Sequence, residues 1–207
     1  MKRAFAFGDK LIEPAVRRVN EIRCVAIIGA GTMGSGIAMN FANAGLPVKL
    51  LEMNDDALGR GLEMIVRNYA GGVKRGKMTE AEAVATRELI QGTMDYADLA
   101  DADLVVEAVF EDLGLKQDVF QKLDGLCKPG AILATNTSTL DIDEIAAATD
   151  RPQDVIGTHF FSPANVMKLL EIVRADNTSA EVIATTMKLA RTINKVGVLV
   201  GVCDGFV

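Results

Sequence analysis

The stretch Cys24-Val-Ala-Ile-Ile-Gly-Ala-Gly-Thr-Met-Gly-Ser-Gly36 constrains this chain more than any other. Val25 to Ile28 are four consecutive apolar residues, which suit a strand buried on both faces of a parallel sheet, and they run directly into Gly29-x-Gly31-x-x-Gly34. Gly29 permits a tight turn, Gly31 lets a pyrophosphate approach the backbone, and Gly34 lets a helix pack closely on the strand. Thr32 and Met33 sit where that helix opens, and free N–H groups and the helix dipole favour anions there.

Ile37, Ala38, Phe41, Ala42 and Ala44 continue at helical spacing, Gly45 stops the helix, and Pro47-Val-Lys-Leu-Leu51 resumes an apolar strand ending at Glu52. An acidic residue about twenty positions past the glycines accepts hydrogen bonds from an adenosine ribose. A 2'-phosphate there would meet the Glu52 carboxylate, and Met53-Asn-Asp-Asp56 supplies no cation to offset it, which points to NAD rather than NADP. The bland alternative is a βαβ unit whose glycines merely pack tightly.

At 207 residues the chain is long enough for one large domain with a substantial core. Its net charge of -6 argues against nucleic acid or an anionic membrane as the main partner. No charged residue falls between Cys24 and Val48, but Thr32, Ser35, Asn40, Asn43, Pro47 and the glycines interrupt that run, so it does not read as a membrane span. Lys2 and Arg3 precede an apolar run, Ala4 to Phe7, too short for a signal-peptide core, and no export signal is visible. Cys24, Cys127 and Cys203 follow no metal-ligand or redox spacing, which fits reduced thiols in a cytoplasm-like compartment and no metal site.

Residues 1 to 22 look like an arm or linker, with Leu11, Ile12, Ala15, Val16 and Val19 in a short amphipathic pattern broken by Pro14. Residues 23 to 207 read as one α/β domain. A long helix is expected over 55–75, and a second opens at Thr79-Glu-Ala-Glu82. Strands are expected at 89–92, 103–109, 130–135, 155–159, 167–173 and 196–200, and helices at 111–127, 142–148 and 180–193. Strands alternating with helices give a Rossmann-type doubly wound, mostly parallel sheet. Arg67, Lys74, Arg75 and Lys77 form a basic cluster, either a solvated face or a contact for a phosphorylated substrate handle.

Reactive groups of an open α/β sheet gather at the carboxyl ends of its strands, which here supply Glu111, then Asn136-Thr-Ser-Thr139, then His159. His159 is the sole histidine, and imidazole titrates in the right range to take a hydroxyl proton as hydride leaves for a nicotinamide. Period-two alternation in Met167-Lys-Leu-Leu-Glu-Ile-Val173 puts Glu171 on an apolar face, where a carboxylate needs a partner; paired with His159 it would fix the tautomer and stabilise the imidazolium. The alternative is an edge-strand glutamate reaching solvent. Ser138 is placed to hydrogen-bond a reacting hydroxyl or carbonyl, and helix N-capping with Asn136 or Thr139 is an equally sound use of that run.

Gly29-Ala-Gly-Thr-Met-Gly34, Val106-Glu-Ala-Val-Phe-Glu111, Asn136-Thr-Ser-Thr-Leu140, His159-Phe-Phe-Ser-Pro163, Met167-Lys-Leu-Leu-Glu171 and Asp204-Gly-Phe-Val207, in that order, closely resemble the NAD-binding domain of the 3-hydroxyacyl-CoA dehydrogenases. The resemblance implies NAD-dependent oxidation of (S)-3-hydroxyacyl-CoA to 3-oxoacyl-CoA in fatty-acid β-oxidation. It implies His159 and Glu171 as the catalytic dyad and Ser138 as the substrate-hydroxyl contact, also near the nicotinamide. Glu52 is similar to the ribose acid and Glu111 and Lys116 to contacts on the nicotinamide side, with Ser162 grouped among the cofactor contacts. Asn68 and Arg75 align approximately with coenzyme A contacts, where a serine and a lysine are expected.

Ser162 replaces the asparagine of single-function members, as in the multifunctional β-oxidation enzymes, and Ala4-Phe-Ala-Phe7 with the arm to Ile22 looks like their inter-domain linker. A fused enoyl-CoA hydratase domain, and a homodimer in the complete protein, are therefore expected partners, in the cytoplasm or in a eukaryotic peroxisome. The family continues past Val207 into a helical domain that this chain does not include, so cofactor binding is expected to survive better than turnover. An NAD-binding module, or a β-hydroxyacid dehydrogenase without acyl-CoA specificity, is the competing reading.

Overall fold

The computed structural model describes residues 19–203. The Asp204-Gly-Phe-Val207 motif and most of the expected arm, including Ala4 to Phe7, lie outside the described residues. Strands β1 (Val25–Ile28), β2 (Val48–Leu51), β3 (Ile90–Thr93), β4 (Leu104–Glu107), β5 (Ile132–Thr135), β6 (Val155–Phe160), β7 (Leu169–Arg174) and β8 (Val196–Gly201) form one sheet in the order β3-β2-β1-β4-β5-β6-β7-β8. Neighbouring strands run parallel except β6 and β7, which pair antiparallel with His159 opposite Glu171. The expected doubly wound sheet is therefore present, with one reversal.

Helices α1 (Thr32–Ala42), α2 (Asp55–Lys74), α3 (Glu80–Glu88), α4 (Leu113–Leu126), α5 (Ile142–Ala146) and α6 (Ala180–Thr192) connect the strands. Two cores result. Val25 and Ile27 of β1, with Leu50, Leu104, Val106, Ile132 and Ala134, join α1, α2 and α6 on one side. Ala26 and Ile28, with Leu51, Val105 and Leu133, join α4 and α5 on the other. A strand with a core on each face has no solvated side on which a polar residue would be tolerated, which is why β1 reads as an unbroken apolar run. Helix α1 is buried from Gly34 to Ala42, so its sequence lacks a charged face as well.

Several boundaries differ from the expected ones by one or two residues, three of them for a local reason. The strand expected to reach 109 stops at Glu107, because the Val109 N–H donates to the Glu107 carboxylate (2.6 Å) rather than to a neighbouring strand. The helix expected from 111 starts at Leu113, because the Asp112 side chain accepts the Leu115 N–H at 2.8 Å and caps it. The strand expected from 167 starts at Leu169, because the Met167 N–H turns back to the Pro163 carbonyl. At the start of the domain, the Asp103 carboxylate accepts the N–H groups of Arg23 and Cys24, tying the entry of β1 to the entry of β4.

The glycine turn sets the closest approaches. Gly29 has φ +98°, and a Cβ there would lie 2.7 Å from the Ala108 carbonyl oxygen. A Cβ on Gly34 would lie 1.7 Å from the Gly29 oxygen, closer than any packed side chain tolerates. Gly34→Ala should therefore destabilise the domain by about 3 kcal/mol or fold poorly, read as the urea midpoint; an unchanged midpoint would mean that α1 does not need this approach.

Candidate active site

The carboxyl ends of β1, β4, β5 and β6 lie along one edge of the sheet, and the order reverses beside β1, where β4 takes up the chain on the other side. Among the described residues, five of the six helices begin with a side chain that accepts one of their own free N–H groups: Asn54, Thr79, Asp112, Asp141 and Ser179. Helix α1 is the exception, since its N-cap is Gly31 and no side chain caps it. Gly31 is extended, and a Cβ there would meet nothing within 4 Å. Open space and uncapped donors at one helix start fit the pyrophosphate of a dinucleotide, with Thr32 and Met33 in its first turn.

Glu52, just past β2, turns back toward this loop. Its carboxylate accepts the Ala30 N–H at 3.1 Å and the Met53 N–H at 2.8 Å. Beside it a cleft of about 160 Å³ is lined by Gly29, Glu52, Tyr96, Val109, Leu115 and Lys122 among others. Apolar walls with a carboxylate at one end suit an adenine and its ribose. Tyr96, Val109, Leu115 and Lys122 escaped the sequence reading because they come from three other segments. Lys122 lies over the Tyr96 ring, 5.6 Å from its centroid, so a cation does enter this cleft, from α4 rather than from residues 53–56.

The ends of β4 and β5 are joined by an ion-pair and hydroxyl network. Glu107 and Lys116 have no exposed side-chain surface; the ammonium donates to both Glu107 oxygens at 2.7 and 2.9 Å, and the Thr135 hydroxyl donates to Glu107 at 2.7 Å. Lys116 also lies 3.4 Å from Glu111, whose other oxygen accepts the Thr137 hydroxyl and the Ser138 N–H (2.8 Å). The Ser138 hydroxyl lies 3.3 Å from the same oxygen. Burial alone would raise the Glu111 carboxyl, but the Thr137 hydroxyl, the Ser138 N–H and the Lys116 ammonium together hold it below the usual range.

Lys116, expected among the contacts on the nicotinamide side, is fully enclosed, its ammonium on Glu107 and 3.4 Å from Glu111. One expectation changes here. Asn136 and Thr139 do not cap the next helix: Asp141 does, while Asn136 Oδ1 accepts the Phe160 N–H at 2.8 Å and so fastens the end of β5 to the end of β6. Glu107 was not among the expected site residues; the available signal was an acid closing an apolar strand, with a lysine one helix start later.

His159 and Glu171 are brought together. Nδ1 lies 2.6 Å from Glu171 Oε2, with the imidazole partly exposed and the carboxylate 2% exposed. The ring also stacks at a tilt on Phe161, with centroids 4.5 Å apart. Glu171 Oε1 is buried with no hydrogen-bond partner among the described residues. A carboxylate so placed holds the ring by its Nδ1 edge and fixes its orientation. Ser162 is exposed two positions past β6.

The remaining expectation concerned the basic cluster. Arg67 pairs with Glu63 at 3.6 Å across one helical turn, both exposed, as on a solvated face. Asn68 donates weakly to Met39 Sδ, and Arg75 follows the last residue of α2. Among the described residues no group of three or more His, Cys, Asp or Glu is placed to hold a metal ion, and no helix is long and apolar enough to cross a membrane.

Residues 24–203 match the family model for the 3-hydroxyacyl-CoA dehydrogenase, NAD binding domain. The chain is 45% identical over 185 residues to the peroxisomal fatty acid beta-oxidation multifunctional protein AIM1 of Arabidopsis thaliana, covering 89% of this chain and 26% of that one. The fold is similar to 3-hydroxybutyryl-CoA dehydrogenase from Escherichia coli, with TM-score 0.88, 39% identity, and coverage of 90% of this chain and 39% of that one. It is also similar to the dehydrogenase part of multifunctional enzyme 1 from C. elegans, with TM-score 0.82, 36% identity, and coverage of 90% and 43%. The chain spans about a quarter of the length of the curated relatives it matches.

Removing the ammonium with Lys116→Met leaves the Glu107 charge buried and should cost about 3–5 kcal/mol in urea unfolding. Combining it with Glu107→Gln should recover more than half of that loss; additive losses would show that the pair is not coupled.

Proposed function

The chain belongs to the 3-hydroxyacyl-CoA dehydrogenase family, through the NAD-binding domain that its residues 24–203 match, and on that premise we propose that it binds NAD and carries the proton-transfer centre of a 3-hydroxyacyl-CoA dehydrogenase. The reaction of the complete protein is oxidation of (S)-3-hydroxyacyl-CoA to 3-oxoacyl-CoA in fatty-acid β-oxidation. The observation that carries this reading is the His159–Glu171 pair, 2.6 Å apart at the strand-end edge that also holds the uncapped glycine turn.

Gly29, Gly31, Thr32, Met33 and Gly34 form the turn that would receive the pyrophosphate, and Glu52 the hydroxyls of the adenosine ribose. Glu111, Ser138 and Ser162 would border the nicotinamide side, with Lys116 holding Glu111 in place. When bound, NAD supplies the hydride acceptor. The residues of the chain handle the proton: the Nδ1 proton faces Glu171, so Nε2 presents a lone pair to the substrate hydroxyl. Ser138 Oγ orients that hydroxyl, and Glu171 stabilises the imidazolium after transfer.

An acyl-CoA substrate fits better than a small polar acid, because the same edge exposes Phe110, 80% accessible, and Val166, 63% accessible. A small-acid dehydrogenase with a lysine base is not favoured, since Lys116, the lysine beside Glu111 and Ser138, is enclosed. The relatives named as multifunctional or bifunctional and peroxisomal support a complete protein that carries a second activity and works in a peroxisome, and a fused hydratase is the partner activity that the linker resemblance suggests.

Titration should give NADH-selective binding over NADPH. Glu52→Ala should weaken NADH about 10–100-fold through loss of charged hydrogen bonds, and Gly31→Ala should weaken it while leaving the urea midpoint unchanged; equal NADPH binding would refute the ribose assignment. In a chain extended to the length of the multifunctional relatives, His159→Gln should lower kcat for acetoacetyl-CoA and NADH by about 10²–10⁴ with NADH affinity retained. Undiminished turnover would remove His159 from the mechanism.

A further inference from the structure

Lys195 lies outside the residues proposed to touch cofactor or substrate, between α6 and β8, and is 7% exposed. Its ammonium donates to the carbonyls of Ala164 at 2.5 Å and Met167 at 2.6 Å, and sits 5.8 Å from the centroid of the Phe160 ring. Both carbonyls belong to the connection 161–168, which leads from the strand of His159 to the strand of Glu171. The main chain reinforces the attachment: the Val196 N–H donates to the Lys168 carbonyl at 2.8 Å, and Lys168 Nζ returns to the Asn194 carbonyl at 3.4 Å. On its other side the connection rests on the cofactor helix, where a Cβ added to Gly36 would lie 3.2 Å from the Ala164 Cβ.

We propose that Lys195 is a positioning residue for the His159–Glu171 pair, fixing the 161–168 connection and through it the register of β6 on β7 and the seat of that connection on α1. The inference rests on the reading of His159 and Glu171 given above.

The physical case is one of register. In an antiparallel pair a slip of one residue turns every side chain to the opposite face, so His159 meets Glu171 only while the connection keeps its length and path. Val166 and Met167 N–H groups bond the Pro163 carbonyl, which closes the connection on itself but ties it to nothing else. The Lys195 ammonium supplies that outside anchor at two points three residues apart. Enclosing a cation is unfavourable. Burial first, and the charge of Lys168 second, lower the Lys195 ammonium to about 8. A lysine whose folded value lies below its unfolded one opposes folding while it is charged, and that penalty is relieved as pH rises from about 8 toward the unfolded value. A neutral side chain of the same length would thus serve the fold at least as well, and what it would lose is the double attachment of the connection.

The test uses the single imidazole of the chain, since His159 is its only histidine. In ¹⁵N-labelled protein, long-range proton–nitrogen spectra report the tautomer of that one ring. The unmodified protein should show one tautomer, with the proton on Nδ1. Lys195→Met should shift the ring toward the mixed pattern of free imidazole while its melting temperature holds or rises, and Lys195→Arg, which keeps charge and donors, should restore the single tautomer. Should the methionine variant not fold, Lys195→Gln carries the same comparison. A methionine or glutamine variant with the unmodified ring pattern overturns the inference, and so does a ring already averaged between tautomers in the unmodified protein. NADH titration of the same samples separates the two readings: failure of the unmodified protein to bind NADH refutes the cofactor assignment, whereas the ring comparison judges Lys195 by itself.

Discussion

The closeness of α1 to β1 governs the rest of this structure. With Gly34 stacked on the Gly29 carbonyl, the helix can lie low enough over the sheet for its first turn to face the edge where strands β1, β4 and β5 end. The same closeness draws in α2, since a Cβ on Gly61 would lie 2.4 Å from the Ala30 oxygen, and the Ser35 hydroxyl donates to that oxygen at 2.9 Å. Three elements therefore meet at Ala30 with hydrogen atoms or small groups where side chains would stand. The cost in chain entropy falls on the glycines, and the gain is a rigid concave backbone with its donors unspent.

A second constraint is electrostatic. Glu107 ends β4 in the interior, and an isolated carboxylate there would be prohibitive; four hydrogen bonds from Lys116, Thr135 and Val109 satisfy it. Once Lys116 is held in this way, its remaining field falls on Glu111, and Glu111 in turn organises Thr137 and Ser138. A buried ion pair of this kind is weak as a source of stability, because desolvation consumes most of its attraction. Its effect is geometric: the start of α4 and the turn after β5 are locked to the end of β4, and a hydroxyl at Ser138 is presented from a fixed backbone.

Much of this was legible in the sequence, and what was not has a common cause. Hydrophobic runs and turn residues located the eight strands of the described sheet, most clearly the central ones, which lie between two cores and tolerate few polar residues. Alternation along β7 put Glu171 among apolar neighbours, where it is buried, and the glycine spacing with Glu52 located the tight turn and the carboxylate that folds back on it. The pairings that escaped, Lys116 with Glu107, Lys195 with the carbonyls of Ala164 and Met167, Asn136 with Phe160, and Tyr96 with Lys122, join segments whose neighbourhood is set by strand order and not by spacing. Periodicity says which way a side chain faces. It cannot say which element lies opposite, and a buried lysine looks in sequence like any exposed one.

The single reversal in the sheet explains how a histidine and a glutamate from consecutive strands come to share one edge. In a wholly parallel sheet, the strand after β6 would begin at the far edge, and its third residue would stand across the domain from His159. Because β7 runs back along β6, its first residues lie beside the last residues of β6, and Glu171 falls directly opposite His159 after a connection of only eight residues. The crevice thus gains a carboxylate that approaches from inside the sheet and not from a loop. Such a carboxylate is shielded from water by the strands on both sides, which strengthens its hydrogen bond to the imidazole. The short connection that makes this possible closes on itself only through the Pro163 carbonyl, and β8, entering in parallel beside β7, is the element that brings Lys195 to its carbonyls.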